Sequence, residues 1–269
     1  MEGLDMYLMK SCQKKHNIIE SNSIRVGTLF GFRTLENLEL QDKSEASYDY
    51  MVRIIEANIP SEVFVYVAAW EIGDENFPYN SVSTPLNSKQ AKGIWEAERI
   101  RSNRYDVDVT DMKIYFTSLH HNCFVFCMSM SEYLPTQPKF KGYDDYWYFK
   151  HNDATAFSEE IKELITKKIK DSNNPLGIDN FNPDLIEVKA KHGMVMYNKK
   201  TSTISRGDEA NLIQLIKRLE NICFTKYERY KKDEEYRFCF DVFYDKIPIS
   251  INMPYIDLSL PLKLSIKIQ

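Results

Sequence analysis

A chain of 269 residues with 43% hydrophobic, 28% charged and 13% aromatic side chains can build a core without disulfide or metal staples, and the composition excludes a largely disordered protein. The 35 basic and 39 acidic residues leave a formal charge of −4, so no global positive field draws the molecule onto nucleic acid or anionic lipid, and only a local basic groove stays open. The five cysteines are odd in number and contain no C-x-x-C; most sit in apolar runs, where a reduced thiol packs as a small hydrophobe, so a cytosolic compartment is expected.

The N-terminal stretch lacks a basic start followed by a long apolar core. No segment reaches the roughly 18 uninterrupted apolar residues of a membrane span, so neither secretion nor a membrane partner is expected. Residues 23–36, SIRVGTLFGFRTLE, set β-branched and aromatic residues around two glycines and predict an early strand that bends at Gly27 or Gly31. In SEVFVYVAAWEIG, Val63, Val65 and Val67 alternate with Phe64 and Tyr66, predicting a strand covered on both faces. DMKIYFTSLHHNCFVFCMSMS (111–131) reads as two strands separated by the polar SLHHN, for which a hairpin is the simplest structure.

That turn setting makes His120 and His121 exposed turn histidines rather than metal ligands, and Cys123 and Cys127 share a strand face beside Val125 as core residues; no metal site is expected. EYLPTQPKFKGYDDYWYFKHND carries two prolines, a glycine and a dense aromatic run, the composition of a functional loop or lid. Its aromatics Tyr146, Trp147 and Tyr148, flanked by Lys139, Lys141 and Lys150, offer faces on which a nicotinamide, an adenine or an unpaired base could stack; folding over the core is the structural alternative.

Two amphipathic helices follow. Phe157, Ile161, Leu164, Ile165 and Ile169 fall on one face of residues 155–170. Leu212, Ile213, Ile216, Leu219 and Cys223 do the same over 208–224, both with helical period. Between them lie a turn-rich connector, NNPLGIDNFNP, and DLIEVKAKHGMVMYN, which predicts two strands around His192–Gly193. At the C-terminus Leu258, Leu260, Leu262, Leu264, Ile266 and Ile268 alternate, with Pro261 on the other parity marking an edge strand. The order of elements predicts one α+β domain over 1–269, of mixed, mainly antiparallel sheets with flanking helices, or a division near residue 171.

The stretch KKDEEYRFCFDVF (231–243) carries the chemistry. If it is strand throughout, Asp233, Glu235, Arg237 and Cys239 share one face while Tyr236, Phe238 and Phe240 share the other. Two carboxylates so spaced suit a reaction that builds positive charge at a sugar carbon: one stabilises an oxocarbenium ion while the other positions a nucleophile. The competing structural role is an internal ion pair between Glu235 and Arg237.

KKDEEYRF resembles the E-x-E entrance of ADP-ribosyltransferases, with Asp233 in the first acidic position and Glu235 in the second. FTKYERYKKDEEYRF more closely resembles the terminal acid-x-Glu-x-Arg signature of a bacterial domain family of unknown function, and RVGTLFGFRTLENLELQDKSE and VFCMSMS resemble its opening and central blocks. The resemblance covers about half the chain. It implies an ADP-ribosyltransferase-like fold and an NAD-dependent toxin or phage-defence effector that transfers ADP-ribose to a macromolecular acceptor, RNA, DNA or protein, with an antitoxin as an expected partner.

The residue roles come with the resemblance. Arg25, or equally Arg33, would grip the NAD pyrophosphate, with Thr28 of the G-T-L segment and Tyr146 also on the cofactor. Ser129 would orient the arginine and the nicotinamide ribose, Glu235 would bind the ribose hydroxyl, Asp233 would face the nucleophile, and Lys141, Trp147 and Tyr148 would meet the acceptor. The chain departs from the pattern in giving Ser129-Met130-Ser131 for S-T-S and Asp for the first Glu. No P-loop, Rossmann glycine fingerprint or nucleophile elbow is present, so NAD would bind in a non-Rossmann manner. Two other classes stay open: a non-catalytic binding module that uses the aromatic loop, and an NAD-independent nuclease or nucleosidase that uses the acidic pair.

Overall fold

The computed structural model describes residues 6–34, 47–60, 95–97, 100–102, 106–172, 174–199, 201–208, 221–260 and 268. In chain order the described strands are β1 (Tyr7–Cys12), β2 (Ser23–Thr28), β3 (Ser47–Pro60), β4 (Trp95–Ala97), β5 (Ile100–Ser102), β6 (Asp106–Leu119), β7 (Phe124–Ser131), β8 (Asp145–Lys150), β9 (Ile186–Met194), β10 (Met196–Asn198), β11 (Thr201–Ser205), β12 (Thr225–Tyr227), β13 (Glu235–Tyr244), β14 (Ile247–Pro248) and β15 (Tyr255–Ser259). Among the described residues two α-helices accompany them, α1 (Ile18–Ser21) and α2 (Ala154–Asp171). The sheets are mainly antiparallel and the helices few. Among the described residues no helix is long and apolar enough to cross a membrane.

The chain divides into two compact units, one from Met1–Glu45, His121–Val195 and Arg229–Gln269, the other from Ala46–His120 and Met196–Glu228. The division therefore does not fall near residue 171, which closes α2 inside the first unit.

The first unit is built on one antiparallel sheet. Strand β13 lies at its centre, paired along one edge with β9 from Tyr236 to Tyr244 and along the other with β7 from Glu235 to Phe240. The far edge of β7 forks. Phe124 and Val125 pair with Thr28 and Gly27 of β2, whereas Ser129 to Ser131 pair with Met9 to Tyr7 of β1. Each arm then carries one more strand, β15 on β2 and β8 on β1. In the interval between the arms Lys10 donates its ammonium to the Cys127 carbonyl at 2.8 Å, satisfying a backbone acceptor on the stretch where β7 passes from one neighbour to the other.

Strand alternation gives this sheet two faces of different character. One face carries Leu8, Phe126, Met128, Trp147, Phe149, Tyr236, Phe238, Phe240 and Val242, and α2 covers it with Phe157, Ile161, Ile165 and Ile169. That stripe matches the helical period in the sequence, and each such side chain contributes about 1.5–3 kcal/mol by leaving water. Phe157 is its keystone, with ring centroids 4.9 Å from Phe149, 5.1 Å from Phe238 and 5.8 Å from Phe126.

In the second unit β3 and β6 pair antiparallel, β11 joins β3 in parallel, and β4 and β5 both pair with β6. β10 and β12 form a separate parallel pair. Along β3 the buried parity changes phase, from Val52 and Ile54 to Ala57 and Ile59. Glu56, at φ 45, marks the change, because a left-handed residue interrupts the two-residue alternation.

Several sequence expectations change here. Residues 111–131 do not form a hairpin: β6 pairs with strands of the second unit and β7 with strands of the first. β9 runs straight through His192–Gly193, and the break falls at Val195. The histidines of SLHHN are not exposed turn residues: His120 is buried and half-buried His121 lies 2.9 Å from Asp241. The strand expected at 61–73, most of the helix expected at 208–224 and residues 261–267 lie outside the described residues. Within the second of these, 222–224 form a 3-10 turn.

Candidate functional site on the second face of the sheet

The other face of the same sheet is polar. Glu235 stands opposite Ser129, Ser129 opposite Met9, and Met9 opposite Tyr148, one cross-strand row over β13, β7, β1 and β8 that spans about 14 Å at ~4.8 Å per strand. One step along, Arg237 faces Cys127 and Tyr146 faces Ser11. Directly opposed residues project from the same face. The register thus brings together Glu235, Ser129, Tyr146 and Tyr148 from distant parts of the chain.

Glu235 and Arg237 resolve one of the open alternatives. Arg237 donates its Nε–H to Glu235 Oε1, and both side chains are buried, at 1% and 8% exposure. An ion pair that far from water is held by mutual neutralisation, since either charge alone carries a desolvation cost of several kcal/mol. Lys10 adds a second cation nearby. Burial is the largest influence on its ammonium and lowers its pKa, while Cys127 and Glu235 oppose that shift. Its Nζ also lies 4.8 Å from the centroid of Phe126.

Asp233 is placed differently from the strand-parity expectation. β13 begins only at Glu235; Asp233 ends a 3-10 helix, Glu228–Asp233, and Glu234 between them takes the left-handed conformation at φ 43. The two carboxylates are therefore not alternate residues of one strand, although both are buried. The Glu234 carbonyl accepts from Met130 N at 2.8 Å and its N–H donates to Lys231 at 3.2 Å, which holds the uncommon backbone angle in place.

The segment between β7 and β8 folds back onto this face. Lys139 donates its backbone N–H to Ser11 Oγ at 2.8 Å and its ammonium to Glu234 at 2.6 Å, and the Tyr146 hydroxyl donates to Pro135 at 3.4 Å. Tyr146 and Tyr148 stack at 6.3 Å, and Tyr7 meets Tyr148 edge-on at 5.8 Å. Lys141 is exposed in the same segment. Trp147 is a correction: alternation takes it to the opposite face, where it is 2% exposed and stacked on Phe126 and Phe149, so it is a core residue and not available to a substrate.

The early-strand residues have other engagements. Arg25 forms a bidentate pair with Asp257 of β15, at 2.8 and 3.0 Å, and lies 3.9 Å over the Tyr255 ring. The pair holds the Asp257 carboxyl below the usual carboxylate range, the hydrogen bond from Arg25 being the largest cause. Thr28 Oγ1 donates to Pro254 at 3.2 Å and accepts from Gly31 at 3.1 Å, fastening the turn after β2. Arg33 lies in the 3-10 turn Gly31–Thr34, and its side chain is outside the description.

Comparison with family models, with curated proteins and with solved structures finds no match to this chain. Lys10, which stands on the core-face parity of β1 and bears on Glu235 by its charge, is the residue that the sequence reading missed. Its signal was there: in YLMKSC it shares strand parity with Leu8 and Cys12, and a lysine on an apolar parity is a buried charge that needs partners.

Proposed function

We propose that the polar face of the first unit is an NAD site of ADP-ribosyltransferase-like chemistry, with Glu235 at the nicotinamide ribose. The observation that carries the reading is the cross-strand register of Glu235 with Ser129, the two residues that the sequence resemblance assigns to that ribose. Tyr146 and Tyr148, both on β8, share that face two strands from Ser129 and three from Glu235 and supply aromatic surface, and Asp233 lies two residues from Glu235 on the preceding turn.

In this chemistry the C1′–N bond of NAD breaks, nicotinamide leaves with the bonding pair, and the positive charge spreads over C1′ and the ring oxygen. A nearby carboxylate stabilises that ion and accepts a hydrogen bond from the ribose hydroxyl. The nucleophile of a macromolecular acceptor then bonds to C1′ and gives up its proton to a base, the role given to Asp233. Arg25 would serve the pyrophosphate only by exchanging Asp257 for phosphate, a partner of the same bidentate geometry. A toxin or phage-defence role, and an antitoxin that restrains it, belong to the same reading.

The test is nicotinamide release and label transfer from adenine-labelled NAD to lysate protein and RNA. Wild type should release nicotinamide, and Ser129→Ala and Glu235→Gln should lose about a hundredfold or more of the rate, each checked by circular dichroism. A folded wild type that leaves NAD intact sinks the reading. The buried Arg237–Glu235 pair favours a second one, a non-catalytic binding module in which Glu235 is structural; there the same substitution lowers stability and no NAD is consumed.

A further inference from the structure

The far end of the polar face holds a cluster that the transfer chemistry does not use. Asp241 stands on the Glu235 parity of β13 but six residues further on, roughly 20 Å away along the strand, and its side chain is 5% exposed. The Cys123 thiol, just before β7 begins, lies within 4.8 Å of a carboxylate oxygen of Asp241, one step beyond the Phe240–Phe124 pair of the sheet register. His121 sets its Nε2 2.9 Å from Asp241 Oδ1. Cys123 is fully buried and His121 half-buried. An imidazole, a thiol and a carboxyl group thus meet around one point of the first unit.

The backbone that carries these groups is pinned. Between His121 and Cys123, Asn122 donates its backbone N–H to Ser250 Oγ at 3.2 Å, and its carbonyl accepts from Ile251 N at 2.8 Å. Its side chain accepts from Phe30 N at 2.9 Å and donates to the Ile251 carbonyl. The Cys123 carbonyl accepts from Leu29 N at 3.1 Å, and Asp241 is held in β13 opposite Lys189 of β9. A connection so tied keeps the side chains on either side of Asn122 at nearly constant positions, which is what a metal site requires of its ligands.

We propose that His121, Cys123 and Asp241 bind one zinc ion, with a water in the fourth position. Bonds of about 2.0–2.3 Å set neighbouring ligand atoms of a tetrahedral zinc about 3.3–3.6 Å apart, so separations of 2.9 Å and of no more than 4.8 Å close on the ion by small side-chain rotations. Thiolate and imidazole select zinc over magnesium or calcium, which take oxygen ligands. A thiolate and a carboxylate side by side out of water repel each other, and a divalent cation balances both charges. Lys191 Nζ lies 3.7 Å from Asp241 Oδ2, beyond hydrogen-bond reach, on a side chain that is 56% exposed, so it gives way to the ion at little cost. Held only by the folded chain, the ion ties the entry of β7 to β13 and stabilises the first unit by mass action. The zinc site stands independently of the NAD reading.

The experiment titrates Co²⁺, a spectroscopic stand-in for zinc, into the reduced, chelator-stripped full chain. Wild type should bind one Co²⁺ with a thiolate-to-metal charge-transfer band, Zn²⁺ should displace it and remove the band, and Zn²⁺ but not Mg²⁺ should raise Tm. Cys123→Ser should abolish the band, whereas Cys127→Ser should leave it unchanged. Asp241→Asn and His121→Gln should each weaken Co²⁺ binding by more than about tenfold, the least that loss of even an outer partner of a metal ligand costs. A wild type that binds no Co²⁺, or binds it without a thiolate band, overturns the proposal even if a variant fails to fold. So does a band that survives in Cys123→Ser.

Discussion

Substituting Glu235 by Gln removes the carboxylate from a guanidinium that is 1% exposed, at the point where β13 pairs with both β7 and β9. Breaking a buried ion pair on one side costs about 3–5 kcal/mol, because the remaining charge keeps its desolvation penalty and loses the group that balanced it. At about 2–4 °C per kcal/mol for a chain of this size, a loss of 3 kcal/mol lowers Tm by about 6–12 °C. Arg237→Met should cost a similar amount, whereas Glu235→Gln/Arg237→Met, which removes both charges, should fall well short of the sum of the two singles. Urea unfolding followed by Trp147 fluorescence, in a background with Trp70 and Trp95 changed to Phe, reads the first unit alone. If Glu235→Gln lies within about 0.5 kcal/mol of the reference, a shift typical of surface substitutions, the buried pair is not structural and the reasoning fails.

Phe157→Ala should destabilise the first unit by about 3–5 kcal/mol, measured in the same urea assay, because four aromatic rings lose their common neighbour. Glu234→Gly should leave stability within about 1 kcal/mol of wild type, since relief of the left-handed backbone offsets the loss of an exposed ion pair. It should nonetheless hasten tryptic cleavage at Lys139 and Lys141. Cys12, buried and with its thiol pKa pushed up to about 11 by burial first and Asp145 second, should resist iodoacetamide at pH 8 while the half-buried Cys127 is alkylated faster; peptide mass mapping decides.

What could be read in the sequence was what depends on local periodicity. The stripe Phe157, Ile161, Ile165, Ile169 fixes one helix face whatever it packs on, and the alternation in β13 separates Tyr236, Phe238 and Phe240 from Glu235 and Arg237. What depends on pairing was not visible. KIYFTSLHHNCFVF has the pattern of a hairpin, yet the choice of partner is made by strands near residues 50 and 235. The acidic doublet failed for a different reason: Glu234 takes a left-handed angle that no periodicity announces, and one such residue ends the alternation that would have set Asp233 beside Glu235. Trp147 and Tyr148 likewise differ only in parity, which was readable once β8 was known to be strand rather than loop.

The fork at β7 also has a consequence for how the chain is made. β7 obtains partners from β1 and β2, already synthesised, but its other edge waits for β13, roughly a hundred residues later in the chain. At ~5–20 residues per second that wait is about five to twenty seconds. Throughout it, FVFCMSMS presents an open, apolar strand edge to its surroundings, the kind of surface that recruits other chains. A nascent or truncated chain ending before residue 235 should therefore depend on chaperones far more than the finished protein does.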